Sequence, residues 1–243
     1  MSVLSDSLFR PGPNATAREY LFKAIFIDDK TADADMMAKF IVPGTCVVDV
    51  GSHVGYFSRR FADRNPGGMV LAFEPQSVPR SIATVASFFR RRRNIVQFPL
   101  ALGAAAGLLE LKIPIKKRGQ LGIGLAHVGA TDDLHQRFDV KREIVACETL
   151  DNVLAKVGVD KLSMIKIDVE GGEQDVLRGA QETLKRHRPV VVCETGESMG
   201  RFGDSVSGLR AFMAERSYRA VDLRTGRDVR GDEPAIDTVF LPV

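Results

Sequence analysis

Four short apolar runs in this chain carry a carboxylate at or just past their end: Asp49 in Val47–Val50, Glu74 after Met69–Phe73, Asp168 after Met164–Ile167 and Glu194 after Val190–Cys193. Glu170 stands two residues past Asp168 and leads into Gly171 and Gly172. Apolar runs of this length read as strands buried on both faces of a parallel sheet. The carboxyl ends of parallel strands point one way, so these acids gather on one edge, where open α/β sheets bind ligands. Gathered carboxylates can accept hydrogen bonds from ribose hydroxyls, pair with an ammonium group, take a proton from an alcohol or hold a hard cation.

The stretch Asp49-Val50-Gly51-Ser52-His53-Val54-Gly55 narrows the ligand. Gly51 permits a sharp turn and Gly55 a close approach of backbone to ligand, and Tyr56-Phe57-Ser58-Arg59-Arg60-Phe61 has helical spacing. The pattern is D-x-G-x-x-x-G, not the G-x-G-x-x-G that seats a pyrophosphate on a helix N-terminus. An acid on the strand repels a pyrophosphate but suits an ammonium group, directly or through water. A nucleoside carrying an amino acid meets both demands, and S-adenosylmethionine is the candidate. Glu74, with Pro75 and Gln76 turning the chain into the next helix, stands where a ribose would offer its hydroxyls. A nicotinamide oxidoreductase would share that ribose acid but needs the missing glycine turn. A catalytically inert nucleoside-binding module on the same fold is a third reading.

Methyl transfer to an alcohol needs the oxygen aligned, water excluded and a base for the proton. Asp168 and Glu170 are the candidate bases, with His53 a weaker third that more readily anchors loop backbone. Mg²⁺ on Asp168 and Glu194 is the less favoured rival, because the sequence offers no further evident hard ligand.

These residues need elements to hold them. Residues 1–43 read as a helical arm: Ala15–Ile27 turns Tyr20, Leu21, Ala24 and Ile25 inward, and Ala32–Ile41 buries Met36, Met37, Phe40 and Ile41. The arm could cover a ligand or join two copies into a homodimer. Residues 44–243 form the main domain. Within it, Ile82, Val85, Ala86 and Phe89 predict an amphipathic helix that closes in a solvated run, Arg90–Arg93. Asn94–Phe98 is a third strand, followed by a loop, Pro99–Gly103, at the nucleoside edge. Leu108–Ile115 and Arg142–Cys147 read as exposed strands paired antiparallel, joined by residues 116–139. That connection, with Lys116, Lys117, Arg118, His127 and His135, reads equally as a substrate-facing flap or a mobile loop. Thr149 caps a short helix, and Val176, Leu177, Ala180 and Leu184 give the buried face of another.

At 243 residues and 44% hydrophobic content, the chain can bury one good-sized core. A net charge of +3 does not argue for nucleic acid. Cys46, Cys147 and Cys193 make neither a disulfide framework nor a zinc site and read as buried thiols of a cytoplasmic protein. Met1–Arg10 lacks the features of a signal peptide, and no apolar run is long enough for a membrane span. A small-molecule acceptor is the expected partner.

Together the stretches Val-Asp-Val-Gly-Ser-His-Val-Gly-Tyr, Ala-Phe-Glu-Pro, Ala-Leu-Gly, Glu-Thr-Leu-Asp and Lys-Ile-Asp-Val-Glu-Gly-Gly-Glu resemble FkbM-type methyltransferases, in order and at the usual intervals, over roughly residues 44–196. The resemblance implies a Rossmann-like class I methyltransferase fold, α/β, with a seven-stranded, mostly parallel sheet and an antiparallel last strand. Arg219–Leu223 and Thr238–Leu241 fit its closing hairpin. It further implies S-adenosylmethionine as cofactor and O-methylation of a sugar or natural product. Asp49, Gly51 and Gly55, with Ser52, His53, Tyr56 and Phe57, would surround the methionine end. Glu74, Pro75 and Gln76 would meet the ribose, Ala101 and Leu102 the adenine, and Asp168 the transferred methyl group. Two departures stand out. Ser52-His53 replaces a frequent Ala-Asn, and Pro99-Leu100 replaces a more polar step, which leaves the adenine to backbone contacts.

Overall fold

A computed structural model describes residues 13–26, 31–116, 120–121, 127–128, 139–195 and 205–243. Its centre is β1 (Cys46–Val50), every residue of which is buried, as two-sided packing demands of an apolar parallel strand. β2 (Met69–Phe73) and β9 (Leu162–Ile167) flank it in parallel. Beyond them lie β3 (Ile95–Phe98) on one side, and β10 (Val190–Glu194), β12 (Asp237–Pro242) and β11 (Tyr218–Asp222) on the other. The order β11-β12-β10-β9-β1-β2-β3 makes one seven-stranded sheet, parallel except for β12, which runs antiparallel between β10 and β11. The expected fold and closing hairpin are therefore present.

Alternation along the strands sends Val48, Val50, Leu71, Phe73, Ile165 and Ile167 into one core and Val47, Val70, Met164 and Val192 into another on the opposite face. The second core is covered by α2 (Thr31–Ala38) and α3 (Tyr56–Arg64), through Met37 and Phe61. The first is covered by α5 (Leu150–Val157), α6 (Glu173–Arg178), α7 (Gln181–His187) and α8 (Val206–Ala214). Thr149 caps α5 as expected, its hydroxyl accepting from the Asn152 amide at 3.2 Å. α1 (Pro13–Phe26) lies along α4 (Ser77–Phe89) through Ala24, Ile82 and Ala86. The three cysteines are buried free thiols. Among the described residues, no helix is long and apolar enough to cross a membrane.

Four local readings are corrected. α4 buries Pro79, Ile82, Ala83, Ala86 and Ser87, while Val85 and Phe89 are exposed, because the face shared between the sheet and α1 is rotated from the 82/85/86/89 stripe. The single helix expected around Val176–Leu184 is two, broken at Gly179, where a Cβ would stand 2.0 Å from the Gly103 carbonyl oxygen; the four apolar residues are nonetheless buried. The loop at the nucleoside edge contains a short strand, β4 (Ala101–Leu102), paired parallel with Cys147–Glu148. The antiparallel pair is real but not simply exposed. β5 (Gly107–Lys116) and β8 (Asp139–Glu148) anchor a second sheet with β4, β6 (Gln120–Leu121) and β7 (His127–Val128), and Leu111 and Ile113 are buried. Apart from β6, β7 and its end residues Lys116 and Asp139, the expected flap lies outside the described residues.

Candidate active site

Register brings the informative residues level. Val50 pairs with Phe73 on one side and Ile167 on the other, so Gly51, Glu74 and Asp168 leave the sheet side by side. Above them opens a cavity of about 820 Å³. Gly51, Ser52, His53, Tyr56, Phe57, Glu74, Pro75, Gln76, Ala101, Leu102, Asp168 and Glu170 all line it.

The loop after β1 is fixed by its own backbone. The Gly51 and Ser52 amides both donate to the Phe73 carbonyl at 3.0 Å. Gly51 has φ +74°, and a Cβ there would stand 1.8 Å from the Asp168 carbonyl oxygen, so only glycine fits. Arg59 secures the far end of the loop by donating from Nη1 to the Val54 carbonyl at 2.7 Å. Gly55, at φ +76°, leaves room for that guanidinium, 3.1 Å from where a Cβ would lie. The arm takes part as well: Tyr20 of α1 meets His53 edge-on, ring centroids 5.6 Å apart, and Tyr20, Lys23 and Ala24 line the cavity.

Glu74 is buried, and each of its oxygens accepts one backbone amide: His53 N to Oε2 at 2.9 Å and Gln76 N to Oε1 at 2.8 Å. Burial pushes its carboxyl up to about 7 against the pull of these two amides. The lone pairs left over can take two further donors, which is what a vicinal diol offers.

Asp49 lies beneath the loop, fully buried. Its Oδ2 accepts from the Ser58 hydroxyl at 2.5 Å, and its Oδ1 is 3.5 Å from Lys166 Nζ. The ammonium beside Asp49 is thus one from the chain itself. Lys166 Nζ also bonds Asp168 Oδ2 at 3.1 Å and sits 4.7 Å from the Phe57 ring centroid. Burial works against its charge, but Asp168 and Asp49 outweigh that and hold the ammonium well above its usual range.

The turn after β9 aims the remaining acids. Glu170 adopts φ +59°, and the turn is braced by buried Glu173, whose Oε1 accepts from the Val169 and Gly171 amides at 3.2 Å each. Asp168, Glu170 and Glu194 each bring a carboxylate oxygen within 4.8 Å of the others. Burial, then hydrogen bonding to Asp168 and the charges of Asp168, Glu170 and Asp237, push the Glu194 carboxyl up to about 8. A smaller cavity of about 130 Å³ adjoins, lined by Asp33 and Met37 of α2 together with Lys166, Asp168, Glu194 and Asp237. Burial and Asp33 raise the Asp237 carboxyl to about 6.

Sequence reasoning passed over Lys166, Asp33, Asp237 and Lys23. A lysine inside the run Met164–Ile167 was a legible signal, since a charge in a buried strand requires a partner. The other three gave none.

Comparison with known proteins adds the family. The chain is 27% identical over 216 residues to the 31-O-demethyl-FK506 methyltransferase FkbM of Streptomyces tacrolimicus, covering 81% of this chain and 82% of that protein. It is 26% identical over 249 residues to the AMB antimetabolite synthetase AmbE of Pseudomonas aeruginosa, covering 89% of this chain but only 12% of the synthetase. An O-methyltransferase from Bacillus cereus, solved with S-adenosylhomocysteine, shares the fold at a TM-score of 0.51 and 15% identity over 93% of this chain and 90% of its own. The methyltransferase FkbM domain matches residues 49–220, most of the chain, and with the class I sheet and the site at its edge this makes the protein a methyltransferase of the FkbM family.

Proposed function

We propose that the protein binds S-adenosylmethionine in the large cavity and methylates a hydroxyl of a sugar or small natural product. The observation that carries this is the joining of a diol-accepting carboxylate, Glu74, and a carboxylate group of three, Asp168, Glu170 and Glu194, in one cavity. A relative whose name specifies a 31-O-demethyl acceptor supports oxygen as the target. The residues fit the cofactor: Glu74 suits the ribose, the Gly51–Phe57 loop the amino-acid end, and Ala101 and Leu102 the adenine. Bound there, S-adenosylmethionine supplies an electrophilic methyl group. The chain must then orient the acceptor oxygen, exclude water and take one proton. Asp168, paired with Lys166, and Glu170 are the bases, and Glu194 serves as the proton-holding neighbour of Asp168. Asp49 acts through Lys166 and not on the ligand.

The spacing of the three carboxylates also favours a second reading, in which Mg²⁺ on Asp168, Glu170 and Glu194 lowers the acceptor's pKa. The position of the Glu170 carboxylate, within 4.8 Å of the other two, supports it as a third hard ligand in this reading.

Thermal shift with S-adenosylhomocysteine at a hundredfold excess over Kd should raise stability by about 2.7 kcal/mol. Stabilisation by NAD and not by the adenosyl ligand would sink the reading. With an acceptor in hand, Glu170→Gln should lower kcat by about 10²- to 10⁴-fold while leaving cofactor affinity intact. Loss of turnover in chelator with rescue by Mg²⁺ selects the metal mechanism instead.

A further inference from the structure

Away from the cavity, α1 and α4 expose four phenylalanines: Phe22 at 57%, Phe26 at 69%, Phe88 at 79% and Phe89 at 64%. They form two pairs, with ring centroids 5.0 Å apart for Phe22–Phe26 and 5.9 Å for Phe88–Phe89. Arg90 Nε donates to the Ile25 carbonyl at 3.0 Å, which ties the last turns of both helices, and so both pairs, to one corner of the molecule. Exposed phenylalanine surface there is on the order of 500 Å², at the upper end for a monomer and a mark of an interaction site. The rim is cationic. Arg91 and Arg93 are exposed, and Arg92 is held by Asp63 at 3.0 Å. Asp28 and Asp29 follow Phe26 in sequence but lie outside the described residues.

We propose that this corner docks on an anionic phospholipid surface, with the phenylalanines entering the interface and Arg91 and Arg93 lying against the headgroups. Charge complementarity selects this occupant. Apolar rings beside a basic cluster combine the two attractions that hold a protein peripherally on acidic lipid. A second copy seated by a two-fold axis through the patch would bring two basic clusters to one interface. Single-stranded nucleic acid is tracked by a basic groove with rings open to base stacking. Here the Phe88 and Phe89 rings stand at 83° to each other at the end of α4. α1 carries Tyr20, Lys23 and Ala24 into the cavity wall, so the same helix belongs to the docked corner and to the cavity.

The test is co-sedimentation of the whole chain with vesicles of phosphatidylcholine alone and of phosphatidylcholine mixed with phosphatidylglycerol. Binding is expected to the mixed vesicles only, weakening as salt screens it. R91E/R93E should lower the partition coefficient about thirtyfold or more, and F88S/F89S at least about tenfold. None of these positions lines the cavity, so both variants should keep the wild-type affinity for S-adenosylhomocysteine. This readout does not depend on turnover, and its failure leaves the methyltransferase reading untouched. The proposal is overturned if the wild type ignores the mixed vesicles or if neither variant weakens binding. A wild-type dimer that F88S/F89S dissolves assigns the patch to a second copy, and tighter binding of single-stranded RNA assigns it to nucleic acid. Either result overturns it as well.

Discussion

Lys166 is the residue on which two separated motifs depend. Its ammonium stands between Asp49, two residues before the Gly51 turn, and Asp168, the first residue past β9. Removing it leaves the fully buried Asp49 without its counter-charge, the situation in which breaking a buried pair costs about 3 to 5 kcal/mol. Lys166→Met should therefore lower stability by an amount of that order in urea unfolding and weaken S-adenosylhomocysteine binding. Adding Asp49→Asn should recover part of the stability loss, because the second change removes an uncompensated charge. A neutral Lys166→Met would show that the ion pairs carry no weight. The pairing explains what the sequence could and could not reveal. Asp49 was legible as an acid beside a glycine loop, and an ammonium partner was inferred from it. That the partner was a lysine of the same chain, 117 residues away in sequence, could not be read, because register between strands is a long-range property.

At the level of elements, the parallel strands were legible because both their faces are buried and their sequences are nearly uniformly apolar. α4 was misread because apolar spacing does not say which of two neighbours a helix faces. Val85 and Phe89 fit the stripe yet sit in solvent, while Pro79, Ala83 and Ser87, which look unremarkable in sequence, meet the core. The second sheet was visible as one strand pair but not as a layer, since its other strands are two residues each. Its ladder makes a test of the flap practical. β5 and β8 pair as far as Ile115 with Asp139, so a tight turn can replace the residues between Lys116 and Asp139 without breaking the hairpin. Such a shortened protein should fold, bind S-adenosylhomocysteine within about threefold of the wild type, and fail to methylate the acceptor. Methylation with unchanged KM would move recognition to α2 and the smaller cavity.

The whole molecule carries its buried carboxyls on one edge, and that shapes its response to pH. Glu74, Glu194 and Asp237 have folded values of about 7, 8 and 6, above their ordinary values. A raised carboxyl binds its proton more tightly in the native state. The stabilisation is complete below the unfolded value and is lost as pH rises through the folded one. The ligand-free protein should accordingly lose stability steadily from about pH 4.5 to 8, with Glu74 alone contributing on the order of 3 kcal/mol. Lys166, raised in the opposite charge sense, stays protonated throughout this window. Melting temperatures across that range check the slope, which Glu74→Gln should flatten; a rising curve would contradict the burial of these groups. The contact of Gly51 with the Asp168 carbonyl, closer than any side chain allows, has a consequence of another kind. Two loops whose backbones touch must be inherited as a matched set. A hybrid gene that joins two relatives anywhere between residues 60 and 160 would mate one parent's first loop with the other's last, whereas exchanging the inserted second sheet alone leaves the match intact. The two loops descend as a single block, while the second sheet is free to be exchanged without disturbing their contact.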